Sequence, residues 1–489
     1  MYDFIVIGAG YAGLSAAALL AKEKLKVLLI EAHAVSGGCA SFFRREGFLF
    51  DAGATTLSGM NPDQPLGRLF RELDTEVKAK KLDPGMIIKL GGDELVRHSD
   101  PVKWKNETAR FFRASDTRSF WDEVHSINDL AYAMAAENYT VPPRSLTDYV
   151  KLAKPSNLKG VKLLPHLLTS VEKALKKRGL GNDTLFRKFI DEQLLITTQN
   201  TAADAPFLTA AMGLAYPSDT WYPYGGMYAP ALLLEEKIRA LGGEIRFKER
   251  VSQIEKTGEG YSLRTARGNV YNAKGVITTI PVWNLEKVTT GEIKEYYSGI
   301  TGGIAEQQIW GAFVLNFGIS NKAGYEFPTS YYQIHFEGEA PYCSSSSLFV
   351  TVSQADDREK APEGSHSVSI SLHTDVSEWL NQDKEEYKRK KQETTDFIMS
   401  RFREAFPALE REETTRVYSG TPFTYIRYTG RHNGYVGGIP HSVKNSLLKM
   451  PPNVTPFRGF YNIGDTTFPG QGTVAVSLGA YNTVRRIIS

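Results

Sequence analysis

The chain has 489 residues, a formal net charge of +3, 42% hydrophobic, 23% charged and 11% aromatic residues. That balance excludes disordered, collagen-like and coiled-coil chains and supports two or three closely joined domains around a large core. So small a charge over this length gives no basis for nucleic-acid binding, and the only cysteines, Cys39 and Cys343, supply neither a disulfide framework nor a metal-ligand spacing. Two unpaired cysteines fit a reducing, cytoplasmic setting. The opening MYDFIVIGAG puts an acid before a short apolar run that turns at once into glycines, unlike a cleaved signal peptide, so folding is expected to begin at residue 1. No window reaches the ~18 to 20 apolar residues of a crossing helix, so membrane contact is expected from one side only.

Phe4 to Ile7 predict a buried strand, Gly8, Gly10 and Gly13 follow at GxGxxG spacing, and Leu14 to Lys22 predict an alanine-rich helix. In such a turn Gly8 permits the tight bend, Gly10 leaves room for a pyrophosphate, and Gly13 lets the helix pack on the strand, with the helix N-terminus facing the phosphates. A second apolar strand, Lys26 to Ile30, ends at Glu31. Its carboxylate suits both ribose hydroxyls and repels a 2′-phosphate, which points to the adenylate half of FAD or NAD rather than NADP. A glutamate that merely closes a strand is the plainer alternative, and the order strand, turn, helix, strand, acid weighs against it. Gly37 and Gly38 come a few residues later. Cys39 beside them has no resolving partner before Cys343 and is expected to pack rather than to cycle through a disulfide.

Residues 139 to 221 predict a helical cap, broken at Pro142, Pro143, Pro155, Pro165 and Gly179 to Gly181. Between Lys151 and Arg178 eight basic residues stand against one acid, Glu172, interleaved with apolar positions such as Val161, Leu164 and Leu168. Such a face can lie on an anionic bilayer; the alternative is a solvated surface over ordinary core leucines. Trp221, Tyr222, Tyr224 and Tyr228 form an aromatic cluster, most simply core, that could also wall an apolar tunnel.

From about 310 to 375 the pattern alternates, as in TSYYQIHF and SVSISLHT, and predicts strands of a mixed or antiparallel sheet flooring a substrate domain. Residues 385 to 406 predict a charged amphipathic helix with a solvated face. Arg427, Arg431 and His432 are candidate catalytic groups at the mouth of a redox site, where a cation stabilises a reduced ring, against the plainer role of loop salt bridges. Phe460 to Ile463 predict a strand, followed by a Gly464-Asp465 turn, a loop carrying Gly470 and Gly472, and a helix from Thr473. That helix N-terminus can stabilise negative charge on a reduced ring, and Asp465 can hold a sugar-alcohol hydroxyl.

The segment EAHAVSGGCASF resembles the glutathione-reductase and amine-oxidase superfamily, whose glycine pair passes close to pyrophosphate and flavin, and this resemblance selects FAD. GDTTFPGQG resembles the carboxyl-terminal signature of carotenoid isomerases and bacterial-type carotenoid desaturases, a group that also includes phytoene desaturase and retinol saturase. GTPFTYIRYTGRHNGYVGGIP at 420 to 440 and YPYGGMYAPALLLEEKIRALGGEIRFKERVSQI at 222 to 254 are similar to further stretches of the same group. The resemblance implies an α/β fold. It comprises a split Rossmann-like FAD domain (1–75, 222–285, 455–489), a mixed-sheet substrate domain (76–138, 286–454) and the cap (139–221), with Val251 near the adenine. It also implies hydride exchange between flavin N5 and a hydrophobic polyene, in isomerisation, desaturation or saturation; a quinone or oxygen is the candidate electron acceptor. Lys24-Leu25-Lys26 departs from the family, which has a glycine there, and residues 80 to 210 carry no residue-level match. A flavin amine oxidase acting on a soluble amine and a non-catalytic, FAD-stabilised lipid-binding protein are the alternatives; a disulfide reductase is disfavoured by the absence of a second GxGxxG and of paired cysteines.

Overall fold

The computed structural model describes residues 1–112, 116–304 and 309–489. One seven-stranded sheet is assembled from both ends and the middle of the chain. Strands Glu244–Arg246, Val27–Ile30, Tyr2–Ile7 and Val270–Thr278 lie side by side and parallel, and Phe460–Asn462 joins the last of them in parallel. Val27–Ile30 is apolar throughout and buried throughout, as a strand covered on both faces must be. The helix Tyr11–Lys22 packs between the helices Tyr228–Ala240 and Thr473–Ile488, which is why eleven of its twelve residues are buried and most are small. Lys24 takes the left-handed conformation, φ 61°, in the turn before Val27–Ile30.

A second seven-stranded sheet runs in the order Tyr418–Gly420, Trp310–Ser320, Ser365–Asp375, Ser347–Val352, Tyr331–His335, Met86–Leu90 and Asp93–Arg97. All its pairings are antiparallel except Tyr331–His335 with Met86–Leu90. One face carries Phe313, Leu315, Ile370 and Leu372 into a core closed by Ile398 and Phe402 of the helix Lys384–Ala405, whose charged residues stay outside. The other face turns toward the first sheet and the cap.

The cap consists of short helices between Leu146 and Ala215. A strand at Thr220–Pro223, which the sequence pattern does not suggest, pairs with Leu57–Ser58 and Ala79–Lys81. It makes the aromatic cluster a joint: Tyr222 is buried and donates to Asp357 at 2.7 Å, Tyr224 donates to Asp356 at 3.1 Å, and Trp221 donates to Asp219 at 2.6 Å. Among the described residues no helix is long and apolar enough to cross a membrane.

Next to that joint is a buried ion pair. Asp51 accepts from Lys360 Nζ at 2.5 Å and from the Met227 backbone N–H at 2.8 Å, with both side chains no more than 2% exposed. Gly226 is glycine because a Cβ there would lie 2.5 Å from the Asp51 carboxylate. Removing one partner leaves the other charged and dry. Asp51→Ala is therefore expected to cost about 3–5 kcal/mol of stability, read from equilibrium denaturation; a loss below ~1 kcal/mol, the range of exposed pairs, contradicts this placement.

Candidate functional site

Parallel strands end at one edge of their sheet. Ile7 pairs with Thr278, and Thr278 with Asn462, so the loops starting at Gly8, Thr279 and Ile463 leave together. Gly8 (φ 99°) has Thr279 against it, where a Cβ would fall 2.1 Å from the hydroxyl, and the nearest neighbour of Gly464 (φ 128°) is the same threonine. The two glycine loops, some 450 positions apart in sequence, are thus adjacent.

Each loop feeds a helix whose N-cap is glycine, Gly10 for Tyr11–Lys22 and Gly472 for Thr473–Ile488, and neither has a side-chain cap. The first-turn N–H groups of both helices are left for a ligand, with the positive ends of both dipoles beside them. Gly472 is exposed and Thr473 half-buried, so this end is open.

The glycines separate into two kinds. Gly13 is needed by the protein itself, since a Cβ would lie 1.9 Å from the Gly8 carbonyl oxygen. Gly10 is not: its φ is −76°, open to any residue, and a Cβ would meet nothing nearer than Gly38 Cα at 4.0 Å. Empty space kept at an uncapped helix start fits a pyrophosphate. Glu31 stands at the end of its strand, accepting from Ala9 N at 2.6 Å and His33 N at 2.7 Å, which leaves one lone pair on each oxygen for ribose hydroxyls. Gly37 donates to Ala9 O at 2.7 Å and so borders the same space, with Gly38 against Gly10. Glu249 N binds Glu31 O and Lys248 N binds His33 O, bringing the chain that leads to Val251 alongside.

Of the three candidate catalytic groups, one reaches the loops. Arg431 pairs with Asp465 at 2.6 Å, donates to the Tyr435 carbonyl and reaches Cys39, so it ties the Gly37-Gly38 segment to the carboxyl-terminal loop. Burial pushes the Cys39 thiol up against the pull of Arg431, which suits packing rather than thiolate chemistry. Arg427 lies on the exposed side of the helix Pro422–Thr429, over the Tyr428 ring. His432 turns to the helix Val282–Val288, its Nδ1 2.9 Å from Lys287 Nζ.

The inner face of the second sheet opens toward these loops. Ala312, Val314, Phe349, Ser371 and His373 sit on central strands yet are only partly buried, while the other face of the same strands is sealed. Thr351 on this face meets Thr55 at 2.9 Å, and Gln199, which ends the cap helix Thr184–Thr198, meets both His373 and Gln471. This part of the face, bordered by the cap, the Gly53 to Thr56 turn and the Gly470 to Gly472 loop, is the candidate substrate cleft. His441 packs under Gly470, where a Cβ would lie 2.5 Å from its Nε2. Gln199, His373, Gln471 and His441 carry no local sequence signal; only the His373 position in SVSISLHT, on the face of alternate small polar residues, hinted at it. Among the described residues no cluster of His, Cys, Asp or Glu could hold a metal.

Residues 11–479 match the family described as flavin containing amine oxidoreductase, and the chain belongs to it; it is a flavin oxidoreductase. It is similar to the chloroplastic prolycopene isomerase of Daucus carota, 27% identical over 505 residues covering 99% of this chain and 80% of that protein. It is also similar to the phytoene desaturase of Fusarium fujikuroi, 23% identical over 536 residues covering 99% and 89%. A solved putrescine oxidase triple mutant shares the fold with a TM-score of 0.65 at 16% identity, covering 100% of this chain and 98% of that one. The resemblance first visible in GDTTFPGQG and the neighbouring segments thus extends over the whole chain.

Two outcomes test the site. Gly10→Ala is expected to fold with an unchanged melting temperature but to purify without flavin colour, whereas Gly13→Ala loses about 1–3 kcal/mol from the backbone clash; a Gly10→Ala protein with full flavin absorbance contradicts the assignment of that space. Burial holds His125, His335, His373 and His441 down to about 4, so between about pH 6.5 and 4 the unfolded chain binds protons that the folded chain does not. Stability is expected to fall as pH drops through that window, measured by denaturant midpoints; a midpoint that stays flat from pH 7 to 4.5 speaks against it.

Proposed function

We propose that the flavin is FAD and that the protein exchanges hydride with a hydrophobic polyene, isomerising it or changing its saturation, while resting in the cytoplasm on a membrane surface. The adenylate-type fittings at Gly10 and Glu31, next to a second open helix end at Thr473, support FAD. The bound flavin supplies hydride acceptance and donation. The chain's own part is to hold that cofactor between two helix ends, to floor the cleft with the second sheet, and to tie the Gly37-Gly38 segment to the carboxyl-terminal loop through Arg431 and Asp465. Relatives named for prolycopene and phytoene support a polyene, and the isomerase-like segment at 420 to 440 favours rearrangement without net oxidation. Net desaturation would pass electrons on to a quinone or oxygen.

One observation favours this reading over a soluble amine. Leu146, Tyr149, Val150, Leu158, Val161, Leu164 and Leu168 are 51–82% exposed, a concentration of bare apolar side chains within 23 residues. Lys151, Lys154, Lys159 and Lys162 are exposed among them. A face of this composition complements an anionic bilayer, where each apolar side chain returned to an oily phase contributes about 1.5–3 kcal/mol and the lysines meet headgroups. The helix Leu164–Leu167 packs on Phe207–Ala215, which packs on Thr184–Thr198, so the apolar surface and the helix that ends at Gln199 belong to one packed unit.

The protein is expected to sediment with vesicles containing phosphatidylglycerol, less so in high salt, and to convert a polyene dissolved in them. Leu158→Glu/Leu164→Glu/Leu168→Glu should lower vesicle binding at least tenfold and polyene conversion with it, leaving flavin absorbance intact. Polyenes unchanged while an amine yields peroxide would reverse the choice.

A further inference from the structure

Gln199 is buried, 4% exposed, and held in the left-handed region at φ 58°, a conformation a glutamine adopts under constraint. Two carbonyls at the end of its helix fix the amides around it. Ile196 O accepts from Gln471 Nε2 at 3.0 Å, which turns Gln471 Oε1 toward Gln199. Leu195 O accepts from Gln199 Nε2 at 3.2 Å, and the same nitrogen lies 3.1 Å from His373 Nε2 and 3.4 Å from Gln471 Oε1. An amide nitrogen only donates, so His373 Nε2 accepts, and the single proton of a neutral ring sits on Nδ1.

That N–H has no partner among the described residues, and it lies on the face that floors the cleft. Ser371, two positions earlier and so roughly 7 Å along the same face, is likewise only partly buried and presents a hydroxyl there. Burial holds the imidazole neutral, its pKa pushed down to about 4, so the tautomer and its donor persist across ordinary pH. A pure hydrocarbon entering the cleft would strip water from both groups and return nothing.

We propose that the cleft recognises a polyene that carries oxygen, a hydroxyl or carbonyl group set against His373 Nδ1 and Ser371 Oγ, and that Gln199 and Gln471 are positioning residues that hold the His373 tautomer. This rests on the polyene reading above and narrows its substrate class. It also accounts for a glutamine kept in a strained backbone and for Gly437, where a Cβ would lie 2.5 Å from the Gln199 amide.

The test is binding of β-carotene, its diol zeaxanthin and its diketone canthaxanthin to the flavin-loaded protein in mixed micelles, followed by the shift in polyene absorbance. The oxygenated pair is expected to bind tenfold or more tightly than the hydrocarbon, since an unmatched buried donor costs roughly that factor. His373→Phe, similar in shape, should abolish the preference, Ser371→Ala should reduce it, and Gln199→Leu should shift the imidazole ¹⁵N signals away from the Nδ1–H pattern. Equal affinities for all three in the unaltered protein, or a preference that survives both His373→Phe and Ser371→Ala, overturns the inference and leaves the polyene function standing. No binding of any polyene, with an amine reducing the flavin, removes both.

Discussion

The site depends on one geometric fact: the first and last strands of the chain pair in parallel on opposite sides of Val270–Thr278. Parallel pairing aligns strand ends, so the turn after Ile7 and the turn after Asn462 must open at the same edge, and the helices that follow must start there too. Thr279, between the two glycine turns, fixes how closely they approach. The packing of Tyr11–Lys22 on Thr473–Ile488 then keeps the two uncapped N-termini together. Arg431 closes the arrangement from the side, bridging Asp465 and Cys39.

The second sheet divides its labour by face. Its outer face is saturated with apolar contacts under the helix Lys384–Ala405, which makes it rigid, while its inner face packs Met86, Ile88, Leu90 and Tyr331 into the core of the cap and stays partly open around Ala312, Val314, Ser371 and His373. A rigid floor with an unfilled surface is what a cleft requires. The Asp51–Lys360 pair and the Tyr222–Asp357 hydrogen bond clamp that floor to the cofactor sheet at the joint where the strand Thr220–Pro223 enters.

The cofactor half was legible because its determinants are local. Gly8, Gly10, Gly13 and Glu31 occur within 24 residues and Gly464 to Thr473 within ten, each as a strand, turn and helix whose chemistry follows from spacing. The substrate half was not, because its polar groups meet only through the fold: Gln199 and His373 are 174 positions apart, and Gln199 and Gln471 are 272 apart. Helical phase decides the candidates near 430. A helix over Pro422–Thr429 carries Arg427 outward, and the left-handed Gly430 that ends it redirects the chain so that Arg431 points in and His432 away. The strand at Thr220–Pro223 was hidden by its aromatic, proline-flanked composition and by partners lying far upstream. Alternation between 310 and 375 announced strands, but not which face would remain open.

The most direct measurement is a crystal structure of the flavin-loaded protein. The diphosphate is expected over Gly10 at the N-terminus of Tyr11–Lys22, the adenylate ribose on Glu31, and the ring edge at the N–H groups after Gly472, all in one ligand. A flavin bound elsewhere, or one touching only one of the two helix ends, would contradict this placement.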